Sequence, residues 1–226
     1  MTRTDDIYNF LPHMTYCPTS LMYPLKSRHI QTNEFLPPSN RAPLEDVQTV
    51  FDTGLKAWTA SDDCKRLASF LDTTPLPKIT KIVAFACGSM ALAEYPDAQA
   101  RSAHQHALIL TLRDIILARQ HHHHDHHNTA DHPRKIQCFV QDPVYSEADE
   151  QVLQKVGVTV LPDPRGFLEV DDETVVLSFC PNIPVRQVVA DIARPAVMIW
   201  DHVMSEAEAE AFWSKRMPGH DYIGHR

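Results

Sequence analysis

The sequence predicts an α/β protein: a Rossmann-like parallel sheet of about five strands, flanked by helices. Two observations lead there. From residue 81 onward, short apolar runs alternate with stretches of helical periodicity, a pattern that implies crossover connections and a parallel sheet. The first run, KIVAFACGSM over residues 81–90, carries five apolar residues and a cysteine unbroken into Gly88-Ser89, and a long amphipathic stretch follows it. It reads as the first strand turning into its first crossover. With right-handed crossovers the expected strand order is 3-2-1-4-5.

The elements follow in chain order. Residues 1–43 hold Pro12, Pro18, Pro24, Pro37, Pro38 and Pro43, enough to exclude a long helix, so this stretch is expected to be an irregular arm with part of its aromatics docked. The remainder, 44–226, is expected to be one domain. Val47, Val50, Phe51, Leu55 and Trp58 have helical spacing, as do Cys64, Leu67, Ala68 and Leu71. Helices are therefore expected over 44–58 and 62–71, the second with Ser61 as its N-cap. After the first strand (81–86), Pro96 precedes a helix over 98–120 with a wide apolar face suited to a sheet.

Residues 121–133, HHHHDHHNTADHP, form a His-rich low-complexity stretch, read as a surface loop able to capture metal without a dedicated site. A second strand is expected at 136–141, a helix from Ser146 stopped by Gly157, and strands at 158–161, 174–179 and 196–200. A short helix over 184–192 separates the last two strands, and a polar helix over 205–215 closes the chain.

Composition narrows the function classes. The net charge of -8 and the lack of a Lys/Arg run argue against direct nucleic-acid contact. No apolar stretch approaches a membrane span, and the first residues lack a basic-then-apolar leader, so a soluble protein without membrane contact is expected. The five cysteines are odd in number, widely spaced and without a CxxC, which fits reduced thiols in the cytosol or nucleus. Three of them fall in predicted strands, where a cysteine is ordinarily a small buried hydrophobe.

In open parallel sheets ligands bind at the carboxyl ends of the strands, near the point where the strand order reverses. Those ends supply Gly88 and Ser89 from the first strand, Asp142 from the second, and Cys180 and Asn182 from the fourth; Gln105 and His106 line the same crevice from the first crossover helix. Each has a plainer alternative. Gly88-Ser89 fits an anion cradled on backbone N–H groups, but one glycine falls short of GxGxxG. Asp142 stands where a ribose hydroxyl is held, or is a turn residue before Pro143. His104 and His106 are two apart, so they do not share a helix face.

Cys17-Pro18 and Cys180-Pro181 are dipeptides that leave a thiolate able to ligate haem iron. Haem and a nucleotide-type molecule are accordingly the two ligand classes considered. No Ser-His-Asp order, P-loop or HExxH is present, and no catalytic residue is assigned.

The Gly88-Ser89 turn, Gln105, the Asp142-Pro143 step with Glu147 after it, Gly157, Gly166 and the Cys180-Pro181 strand end together resemble the domain of the sensitivity-to-red-light-reduced (SRR-like) family, over roughly residues 46–202. The resemblance implies a regulatory protein tied to signalling, circadian timing or stress responses, with a link to haem metabolism in animal relatives and protein partners it does not identify. This chain departs from that pattern in its His-rich stretch and in Asp201-His202. A nucleotide- or S-adenosylmethionine-using group-transfer enzyme is the alternative, with Asp142 on ribose and Cys180 or His106 for chemistry. An interaction scaffold using the proline-rich arm is a third reading.

Overall fold

The computed structural model describes residues 41–93, 95–124, 135–202, 204–208 and 210–211. Residues 1–40 of the expected arm over 1–43, residues 125–133 of the His-rich stretch, and residues 209 and 212–215 of the expected closing helix lie outside the described residues.

Among the described residues the named elements run in the order α1 (Leu44–Ala60), α2 (Asp62–Thr73), β1 (Lys81–Phe85), α3 (Pro96–His124), β2 (Gln137–Gln141), α4 (Glu147–Lys155), β3 (Val158–Val160), α5 (Arg165–Leu168), β4 (Thr174–Ser178), α6 (Val185–Ile192) and β5 (Val197–Trp200). All five strands are parallel and their order is β3-β2-β1-β4-β5, as the alternation of elements required. No helix among the described residues is long and apolar enough to cross a membrane.

The period-two alternation of the strands divides the core into two layers. Ile82 and Ala84 of β1, with Cys138 and Val140 of β2 and Val175 and Leu177 of β4, pack under α1 to α4. Val83, Phe85 and Val176 face the other way, against Phe167 of α5 and Val185 and Val189 of α6. Phe85 and Phe167 stack with ring centroids 4.5 Å apart.

Helix α3 is longer than its periodicity indicated: it opens on Pro96 and continues through His124, so the first four histidines of the run are helical. Polar ties hold its flanks. Trp58 Nε1 donates to Thr111 Oγ1 at 2.9 Å, Arg113 donates to the Val156 carbonyl at 2.7 Å, and Arg119 reaches the Leu71 and Thr74 carbonyls. Gly54 lets α1 approach closely, since a Cβ there would meet Ala103 Cβ at 2.4 Å.

Ser61 caps α2 by accepting from Cys64 N, as expected. The one-turn helix α5 was not legible, because four residues are too few for a periodic signal. It is held from the sheet: Gln141 Oε1 accepts from Gly166 N at 2.5 Å, and Gln141 Nε2 donates to Asp163 at 2.8 Å. A side chain at Gly166 would press on Gln141 and Phe85.

Candidate functional site

The chain leaves β1 to build β2 and β3 on one side and returns to build β4 and β5 on the other, so the order reverses between neighbours β1 and β4. At that point the backbone is unusual at both strand ends. Ala86, just past β1, has φ +58°, and Cys180, just past β4, has φ +46°. A left-handed conformation costs a non-glycine residue about 1–2 kcal/mol and persists only where the surroundings impose it. Gly88 also lies in this region, at φ +72°, without such a penalty.

The β2 side is closed by two carboxylates. Asp142 Oδ2 accepts from Gly88 N at 2.8 Å and Oδ1 accepts from Val144 N at 3.1 Å, tying the end of β2 to the loop after β1. Burial pushes the Asp142 carboxyl up, the two N–H groups hold it down in part, and Asp149 adds a further push.

Ser89 is buried and turned inward. Its hydroxyl donates to Asp149 Oδ2 at 2.6 Å and accepts from Ala91 N and the Arg41 guanidinium. Asp149, fully buried, also accepts from Met90 N at 2.8 Å and from Ser146 N and Oγ, each at 2.8 Å. Because Ser146 Oγ accepts from Asp149 N in return, this is a capping box at the start of α4. One carboxylate thus caps a helix and anchors the loop after β1.

Helix α3 flanks the loop after β1. Ser102 Oγ donates to the Gly88 carbonyl at 2.9 Å. His106 is fully buried, and burial lowers its pKa to about 4 against the opposing pulls of the Ser102 carbonyl and Asp149. The ring is therefore neutral near pH 7. Nδ1 lies 2.7 Å from the Ser102 carbonyl and so carries the proton; Nε2 accepts from Tyr145 Oη at 2.8 Å. The same hydroxyl reaches Cys87, whose thiol is pushed up to about 12 by burial and then by Asp142. His104 is exposed. Gln105, between the two histidines, is half-buried, and its Oε1 is shut from solvent without a hydrogen-bond partner among the described residues.

On the β4 side, Cys180 lies beyond the strand and is exposed, a correction to its reading as a small buried hydrophobe. Cys87 and Cys138 are buried. Cys180 N donates to Asp201 Oδ2 at 2.5 Å and its Sγ to Asp201 Oδ1 at 3.6 Å. Partial burial and then Asp201 raise its pKa, while Arg101 of α3 pulls it down. Asn182 is exposed in the loop before α6. Ser178, the last residue of β4, is fully buried, and its Oγ has no partner among the described residues.

Of the residues singled out from sequence, Gly88 and Asp142 are in direct contact, Gln105 and His106 sit one turn along the helix whose Ser102 holds Gly88, and Cys180 faces Arg101 of the same helix. Sequence reasoning missed Asp149, Tyr145, Ser178 and Arg101 as members of the edge. Only Asp149 had a signal, the Ser146-x-x-Asp149 spacing of a capping box.

The chemistry available is limited. His106 has both nitrogens engaged and no charge to give. Partial burial and then Asp201 oppose ionisation of the Cys180 thiol; Cys17 lies outside the described residues. What the edge does offer is Ser178 Oγ, buried without a partner among the described residues, between the left-handed Ala86 and Cys180.

Comparison with known proteins gives one match. The family model described as the SRR1 domain covers residues 53–220. No curated protein and no solved structure matches the chain.

Proposed function

The chain belongs to the SRR1 domain family, and from that premise we propose that it is a regulatory, ligand-sensing module that binds a small molecule between the carboxyl ends of β1 and β4. The observation that carries this reading is Ser178 Oγ, at the end of β4 beside the point where the strand order reverses, buried without a partner among the described residues, as are Gln105 Oε1 and Gln120 Oε1 on α3. A buried polar atom left unpaired costs about 1–3 kcal/mol, so Ser178 Oγ, at the neighbouring ends of β1 and β4, calls for an external partner. The left-handed Ala86 and Cys180 beside it add strain of the kind found at ligand sites. Gly88, Ser89, Asp142 and Asn182 contribute the rim, Ser89 through its backbone, and His106 supports the wall from behind.

Binding is favoured over group transfer because the two candidates for base or nucleophile among the described residues are poorly poised: Cys180 is raised and His106 is lowered and enclosed. The reading takes 44–226 as the binding module with 1–43 as its arm, and places it in the cytosol or nucleus, where cysteines stay reduced.

Thermal melts in the presence of adenosine, S-adenosylmethionine and haem test it. A ligand of the folded state raises the melting temperature by mass action, worth about 2.7 kcal/mol at a hundredfold excess over Kd. At least one of the three should give a saturable rise that Gln105→Leu and Ser178→Ala remove. Ser178→Ala without ligand should be as stable as wild type or more so, since it deletes an unpaired group. Flat melts with all three probes would count against the reading.

A further inference from the structure

Large apolar side chains exposed among the described residues are few, and Ile192, Met198 and Met204 account for three of the six. All three lie in or beside β5, the strand at one edge of the sheet. Val197–Trp200 carries no charge, proline or glycine, the usual guards of an exposed edge. Among the described residues its backbone is hydrogen-bonded to β4 alone, leaving its outer row of N–H and C=O groups without backbone partners. At the opposite edge β3 has only three residues, with Thr159 at its centre.

We infer that β5 pairs with β5 of a second copy of this chain, antiparallel about a two-fold axis perpendicular to the sheet, joining two five-stranded sheets into one of ten. Such an axis keeps each helix layer on its own side, so only residues facing the same layer stand opposite one another. Val197 and Ile199 face the α1–α4 layer and Trp200 the α6 layer; strand alternation puts Met198 with Trp200. With the axis at Ile199, Met198 of each copy lies across from Trp200 of the other, a thioether against an indole, made twice. The edge is also self-complementary in charge. Exposed Arg194 precedes the strand, while Asp201, Glu206 and Glu208 follow it. Only an antiparallel copy brings that basic flank alongside the acidic one at both ends, and this favours a second copy over an unrelated strand.

Sedimentation velocity of the full chain at micromolar concentrations reads the outcome. The expected result is a species of twice the chain mass. Met198→Lys, at an exposed position, should convert it to monomer with an unchanged circular dichroism spectrum, and Arg194→Glu should weaken the dimer about tenfold in Kd. If Met198→Lys fails to fold, Arg194→Glu decides alone. A wild-type monomer at every concentration overturns the inference, and so does a dimer that neither substitution weakens.

Discussion

Asp142 Oδ2 accepts the Gly88 N–H at 2.8 Å, so a carboxylate at the end of β2 fixes the loop that follows β1. The bond joins the ends of the two strands on the side of the sheet away from β4. Asp142→Ala leaves that N–H unpaired in a half-buried site and is expected to cost about 1–3 kcal/mol in urea denaturation. Asp142→Asn sheds the cost of a buried charge but can accept from only one of Gly88 N and Val144 N, so it should cost less than Asp142→Ala without restoring wild-type stability.

Gly54 sits where α1 meets α3. On helix propensity alone Gly54→Ala would gain up to about 1 kcal/mol. A Cβ there lies 2.4 Å from Ala103 Cβ and 3.3 Å from its backbone carbon, so the two helices must separate. Overpacking costs typically about 1–3 kcal/mol. The net effect expected is a lower melting temperature, and a rise would show that α1 can slide aside.

The thiols should differ sharply in reactivity. Cys87 and Cys138 are buried with pKa values pushed up to about 12 and about 11, so neither should react with iodoacetamide in the folded protein. Cys180 is exposed but held up by partial burial and by Asp201. In a background lacking Cys17 and Cys64, Asp201→Asn is expected to raise the alkylation rate of Cys180 at pH 7.5 several-fold. An unchanged rate would mean that Asp201 does not govern the thiol.

His106 makes stability depend on pH with a definite sign. Burial lowers its pKa from 6.5 to about 4, so between those values the unfolded chain holds a proton that the folded chain does not. Stability therefore rises with pH across this window and is lost as pH falls from 6.5 toward 4, by at most about 3 kcal/mol. Asp142, whose pKa is raised, contributes the opposite slope as pH rises through its folded value. Comparing His106→Gln with wild type from pH 4 to 7 isolates the histidine, because Asp142 is common to both. The variant should show the shallower dependence.

Strands β1 to β5 and their order were legible from the sequence because each is a short apolar run between helical stretches, and parallel crossovers allow few arrangements. The strand ends were legible for the same reason: Gly88, Asp142 and Cys180 mark where periodicity breaks. Helix α5 was not, because its place is set by Gln141, twenty-five positions away from the Gly166 N–H it receives. Nor was the role of Ser89, whose hydroxyl is claimed by Asp149 sixty residues on.

By itself, then, the sequence determined the layers, the strand order and which residues stand at the edge, since those follow from local patterning of apolar and polar positions. Only the tertiary structure decided which of those edge groups remain available. Hydrogen bonds between residues distant in the chain satisfy Ser89, His106 and Asp142, while Gln105 Oε1 and Ser178 Oγ are buried without a partner among the described residues, and no local pattern records what a side chain will meet across the fold.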